Sequence, residues 1–151
     1  DFWTLDGQPV DLGKVRQNDR IVVTLRGATA DNRHHEIALL DLLPAGFEIE
    51  GTVKADENGK SPYPWLGALR AVRLTEARDD RFVASFVVHP DWPSAVVDDE
   101  KKEASGEYLI AYLVRAITPG TYVLPAAVAS DMYRPKIEAR TDMGEVTIEA
   151  R

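Results

Sequence analysis

The sequence predicts an all-β domain, an antiparallel β-sandwich with one short helical insertion. Three observations carry that prediction. Apolar and polar residues alternate with period two in run after run, the mark of strands with one buried face. Prolines and glycines, nine and ten over 151 residues, interrupt those runs as turns between short strands do. Only one stretch abandons that period for helical spacing.

Taken in order, the elements number about eight strands, a count typical of sandwiches. A weak strand lies near Leu5. "RIVVTLRG" places Ile21, Val23 and Leu25 on one face and Val22, Thr24 and Arg26 on the other. "HEIALLDLLP" is almost continuously apolar from Ile37 to Leu43, as in a strand buried on both sides. Pro44-Ala45-Gly46 then turns the chain into "FEIEG". In "PYPWLGALRAVRL" a proline start is followed by Trp65, Leu66, Leu69 and Val72 at helical intervals, which predicts a short helix weakened by Gly67. "RFVASFVVH" and "EYLIAYLVRA" both alternate cleanly, and "HPDWPSAVVDDEKKEASGE" between them reads as a long exposed connection. The Pro119-Gly120 turn predicts a hairpin into "TYVLP", and Met143-Gly144 predicts a second hairpin joining "IEARTD" to "EVTIEA".

A chain of this length buries roughly 68–70% of its unfolded surface, so a core forms without disulfides or metals. Cysteine is absent, which removes thiol nucleophiles and Cys-ligated zinc and is compatible with an oxidising compartment. The net charge is −7. Its basic residues are scattered rather than clustered, against the footprint of a nucleic-acid binder. No apolar run approaches the ~18 residues of a membrane-spanning helix. The chain opens on Asp1 rather than Met, and the reading favoured here is one domain cut from a larger protein.

Most candidate catalytic features have simpler explanations. His34-His35 is the most tempting metal signal, yet neighbours on a strand face opposite ways, and His89 stands apart; a solvated strand entry is the preferred reading. Asp79-Asp80 has the composition of a carboxylate pair for acid–base chemistry, but Arg78 and Arg81 flank it and favour a charge-paired turn. No glycine-rich phosphate loop appears. Ser85, Ser94, Ser105 and Ser130 lack a His/Asp entourage. Trp65, Phe82, Phe86, Tyr108 and Tyr112 fall on core-facing positions. The sequence predicts a protein that is not an enzyme and needs no cofactor or metal.

One loop resists this account. "DMYRP", Asp131 to Pro135, lies between two strands where Gly, Asn, Asp or Ser is usual. It carries Met132 and Tyr133, both effective contact residues. Asp131, Arg134 and Pro135 form its support, with Pro135 restricting Arg134 to extended backbone. A stiff base under an aromatic tip suits recognition, because little entropy is lost on contact. A tyrosine corner, with the hydroxyl tied back onto the sandwich, explains the same residues.

"YLVRAITPGTYVLPAAVASDMYRPKIEARTDMGEVTI" closely resembles the C-terminal region of bacterial α2-macroglobulins, within their last macroglobulin-like domain, MG10. "EARDDRFVASF", "LLPAGFEIE" and "DFWTLDGQPVDL" extend the resemblance over nearly the whole chain. It implies one macroglobulin-like β-sandwich over residues 1–151. It also implies a place at the C-terminus of a periplasmic protease inhibitor, lipid-anchored to the inner membrane. In that family a bait region is cut by a protease, and an internal Cys–Gln thioester then captures the protease covalently. The resemblance assigns Met132 and Tyr133 to the pair that covers the thioester in the resting protein. The implied partners are the thioester domain of the same polypeptide, the target proteases and a peptidoglycan synthase of the penicillin-binding class.

Two rival classes remain from the residues alone. One is an adhesion or scaffolding sandwich whose "DMYRP" loop binds another protein. The other is a carbohydrate-binding module stacking sugars on Trp92 and Tyr63.

Overall fold

A computed structural model describes residues 1–31, 33–88 and 106–151. The strands are β1 (Phe2–Trp3), β2 (Val15–Arg16), β3 (Arg20–Ala28), β4 (His35–Leu42), β5 (Phe47–Val53), β6 (Leu74–Arg78), β7 (Arg81–Val88), β8 (Glu107–Ala116), β9 (Gly120–Leu124), β10 (Val128–Asp131), β11 (Glu138–Arg140) and β12 (Gly144–Glu149). They form a four-stranded sheet in the order β1-β3-β8-β5, a five-stranded sheet in the order β11-β10-β4-β7-β6, and a three-stranded sheet in the order β2-β12-β9. Pairing is antiparallel throughout except between β12 and β2. The predicted all-β sandwich is what the chain adopts.

The main core joins all three sheets. Ile21, Val23 and Leu25 of β3 and Ile110, Tyr112 and Val114 of β8 meet Ile37 and Leu39 of β4 and the alternating Phe82, Ala84, Phe86 and Val88 of β7. Val15, Val146 and Ile148 bring the small sheet into the same cluster. Phe82 stacks on Tyr112 with centroids 4.4 Å apart, a geometry that adds to the burial of both rings.

A second, smaller core covers the opposite face of the four-stranded sheet. Val22 of β3 and Leu109, Ala111 and Leu113 of β8 pack with Leu66 and Leu69, bordered by Trp3, Leu5, Tyr63 and Trp65. The predicted helix over "PYPWLGALRAVRL" is absent: no helix occurs among the described residues. A single turn, closed by the Leu66 amide donating to Tyr63 O at 3.0 Å, takes its place. Pro62, Pro64 and Gly67 remove donors and helical preference at close intervals. Trp65 and the two leucines still bury, held by tertiary contact, with the Trp65 indole donating to Leu5 O at 2.8 Å. Gly7, at φ 81, passes under that ring; a Cβ there would sit 2.5 Å from Trp65 Cγ.

Two burial expectations are corrected by this arrangement. Strand β3, whose pattern suggested one buried face, is buried on both from Ile21 to Leu25, because the Trp65 segment roofs its outer side. Strand β4, expected to be buried on both sides, alternates between buried and half-buried residues. Among the described residues no apolar segment comparable to that at Trp65 packs on its outer face.

Both predicted hairpins are also corrected. Strand β9 pairs with β12 rather than β8, and β11 pairs with β10 rather than β12. Pro119-Gly120 and Met143-Gly144 therefore carry the chain between sheets. The long connection starting at His89, with His89, Trp92, Ser94 and Ser105, lies outside the described residues.

Candidate functional site

The "DMYRP" loop closes the β10–β11 hairpin. Register runs from Val128↔Arg140 to Ser130↔Glu138, and the Asp131 amide donates to Ile137 O at 3.0 Å. A tighter turn lies within it, the Ile137 amide donating to Arg134 O at 2.8 Å. On its other side β10 lies along β4 through Asp131↔Ile37. The Met132 amide extends that contact by donating to Glu36 O at 2.8 Å. The loop thus rises from the paired end of an interior strand.

Its chemistry divides sharply between base and tip. Asp131 is 1% exposed, whereas Met132 is 47% and Tyr133 77% exposed, with Ile137 exposed beside them. The Tyr133 ring therefore stands out from the sandwich rather than folding back as a tyrosine corner would. Leu74 and Val123, on β6 and β9, and Met143, just before β12, are the other exposed large apolar residues described; exposed apolar residues of this kind are ordinary on a protein surface. Met132, Tyr133 and Ile137 form a local apolar group.

Asp131 explains how such a tip is held. Its Oδ1 accepts the Tyr133 amide at 2.9 Å and the Arg134 amide at 2.8 Å, the local turn that short acidic side chains favour. Its Oδ2 accepts His35 Nδ1 at 2.9 Å and Arg134 Nε at 3.1 Å. Burial pushes the Asp131 carboxyl up, but donation by His35, by the two amides and by the Arg134 side chain outweighs it and holds the carboxyl at about 2. Arg134 Nη2 also donates to His34 O, linking the loop to the start of β4. Pro135 is exposed and follows Arg134 on the outer side. Asp131, Met132, Tyr133, Arg134 and Pro135 make one continuous unit with a rigid base.

His35 corrects another expectation. The adjacent histidines do face opposite ways, with His34 exposed, but His35 is 1% exposed and is no solvated strand entry. Its Nε2 lies 2.5 Å from Asp31 Oδ1. Hydrogen bonding from His35 is the largest influence lowering the Asp31 carboxyl. Sequence reading missed both Asp31 and His35 as partners of the loop. His35 is 96 residues from Asp131, and the only available signal was its in-phase position with buried Ile37 and Leu39.

The remaining candidates are dispersed. Asp79 and Asp80 lie exposed at the β6–β7 turn, and Arg81 Nη2 pairs with Asp80 Oδ2 at 2.5 Å. Tyr63, proposed as a sugar platform, is half-buried with its ring 5.9 Å from that of Trp65. Among the described residues no three acidic or histidine side chains are grouped to hold a metal.

The family model for the bacterial α2-macroglobulin MG10 domain matches residues 1–91 and 100–136. The chain belongs to the MG10 family. The matched region takes in the whole "DMYRP" loop. This MG10 domain is 32% identical over 142 residues to α2-macroglobulin of Escherichia coli K12, covering 89% of this chain and 8% of that protein. It superposes on Salmonella α2-macroglobulin reacted with methylamine with a TM-score of 0.72 and 27% identity, covering 97% of this chain and 9% of the other. It also matches Escherichia coli α2-macroglobulin activated by porcine elastase, with a TM-score of 0.69, 26% identity, and coverage of 98% and 12%. The domain spans only a small fraction of each relative.

Proposed function

We propose that this MG10 domain is a non-enzymatic shield, in which Met132 and Tyr133 cover the reactive thioester of a neighbouring domain in the same polypeptide. The observation that carries the reading is the contrast at the hairpin tip. Two adjoining large side chains are held in solvent by a fully buried carboxylate directly behind them. Leaving a Met and a Tyr exposed costs hydration free energy, and rigidity at their base lowers the entropy lost on contact. Such a tip suits a preformed apolar pocket.

The likeness to a protein reacted with methylamine and to one activated by elastase supports an amine-reactive bond released by proteolysis. Methylamine is a small nucleophile of the kind that attacks acyl sulfides. Protection would work by steric exclusion and desolvation. Docking of the tip contributes a few kcal/mol from the buried ring and thioether, less the entropy of association. The contact is therefore weak in trans and effective when tethered. Weakness serves the mechanism, since cleavage of a bait segment must release the shield and expose the bond to the attacking protease.

On this reading the whole protein is an extracytoplasmic protease inhibitor, periplasmic and lipid-anchored at the inner membrane, acting beside a penicillin-binding peptidoglycan synthase. The decisive experiment is Tyr133→Ala in the full-length protein. The domain stays folded because the ring contributes little to its own core, and methylamine reacts with the resting protein at least several-fold faster, read as free thiol released. Unchanged reactivity overturns the shield.

A further inference from the structure

We propose that His35 is the positioning residue of the Met132–Tyr133 tip, bridging Asp31 and Asp131 and fixing, through Asp131, the backbone from which the tip projects. The tip's role as a shield rests on the reading above; the positioning does not.

The argument begins with donors and acceptors. Both ring nitrogens of His35 face carboxylate oxygens, Nδ1 at 2.9 Å from Asp131 and Nε2 at 2.5 Å from Asp31. Ionised carboxylates only accept, so each of these bonds is made by the ring nitrogen that carries a proton. Arg134 Nη2 lies 3.2 Å from the same Nδ1 and 2.9 Å from Asp131 Oδ2. Two carboxylates, an imidazole and a guanidinium therefore meet within one cluster. The ring itself sits in β4, paired with Val88 of β7, and is held by the sheet rather than by a loop. Bonds to an ionised carboxylate are the stronger class, and burial protects the one to Asp131 from screening.

The consequence for the tip is geometric. Asp131 divides its carboxylate: Oδ1 holds the amides of Tyr133 and Arg134, and Oδ2 is held by His35 and the Arg134 side chain. Arg134 belongs to the loop itself and reaches the rest of the sandwich through the His34 carbonyl, just ahead of β4. His35 is the side-chain donor to Asp131 that belongs to another strand, so it ties the loop's frame to the body of the sandwich. Without it, the Asp131 backbone stays paired with β4, but its carboxylate is free to turn together with the amides it holds.

Two substitutions separate positioning from packing. Asparagine carries its amide nitrogen near the place of Nδ1, and glutamine near that of Nε2. His35→Asn therefore keeps the bond to Asp131, whereas His35→Gln keeps only the bond to Asp31. Amide hydrogen exchange measured by NMR on the 151-residue chain is the primary readout. In His35→Gln the amides of Tyr133 and Arg134 exchange about tenfold faster, the effect of losing roughly one hydrogen bond to a charged group, while Val128 and Ala129 in β10 are unchanged. His35→Asn stays near wild type. Equal exchange at Tyr133 and Arg134 in the two variants, raised or not, overturns the proposal. Methylamine reactivity of the full-length variants then tests the shield separately. Faster reaction in His35→Gln than in His35→Asn supports both ideas. Amides that respond while reactivity does not leave His35 as the positioning residue and overturn the shield.

Discussion

At the scale of single residues, Asp131 concentrates more interaction than any other side chain in the loop. Its carboxylate is withdrawn from water and receives two amides, an imidazole and a guanidinium. Removing one partner of such a cluster leaves uncompensated buried charge, which typically costs about 3–5 kcal/mol. Because Arg134 reaches partly into solvent, Asp131→Ala is expected near the lower end, about 3 kcal/mol, measured from the denaturant midpoint. The pH dependence has a definite sign. The folded carboxyl sits at about 2, below its unfolded value, so its stabilisation is complete above ~4 and is lost as pH falls toward 2. Wild-type stability should decline across that interval, and Asp131→Asn should decline less steeply.

At the scale of elements, β4 and β8 are the strands on which the rest is assembled. They carry a buried polar contact between the two larger sheets, Tyr112 donating to Asp41 Oδ2 at 2.7 Å. Burial pushes the Asp41 carboxyl up, partly offset by that phenol, and burial together with the Asp41 charge pushes Tyr112 up. A carboxyl raised in the folded state favours folding most at low pH and loses that contribution as pH rises through its folded value. Tyr112→Phe strips away the donor and makes the carboxylate costlier still. We expect a loss of about 1–3 kcal/mol at pH 7 that shrinks as the pH is lowered and Asp41 takes up its proton, with chemical denaturation over a series of pH values as the check.

At the scale of the whole molecule, the two cores lie on opposite faces of the same sheet and share β3 and β8. Neither can melt while the other stays intact, so one cooperative transition is expected. Leu69→Ala, in the smaller core, should lower that single transition by about 2–5 kcal/mol instead of splitting it, as calorimetry would reveal. The loop lies far from Leu69 in the chain and is anchored on the five-stranded sheet. It gains its rigidity from the same cooperative body.

Period-two patterning made the strands themselves legible. The alternation in "RFVASFVVH" names the buried residues of β7 correctly, because a pleated backbone sends successive side chains to opposite faces whatever its neighbours are. In "EYLIAYLVRA" it separates the two faces of β8 but not their fate, since Leu109, Ala111 and Leu113 are buried as well, under the Trp65 segment. The apolar loop tip was legible for a similar reason: Met132 and Tyr133 are out of place in any solvated turn. Pairing was not legible. Alternation says which face is buried but not which strand lies alongside, and β9 and β11 found partners other than those their turns suggested. The roof over β3, the failed helix at Trp65 and the His35–Asp131 bond all depend on segments far apart in the chain. Local chemistry decided what each segment prefers to bury or expose; only the closed tertiary arrangement, in which distant groups satisfy one another's charge and surface, decided which partners meet.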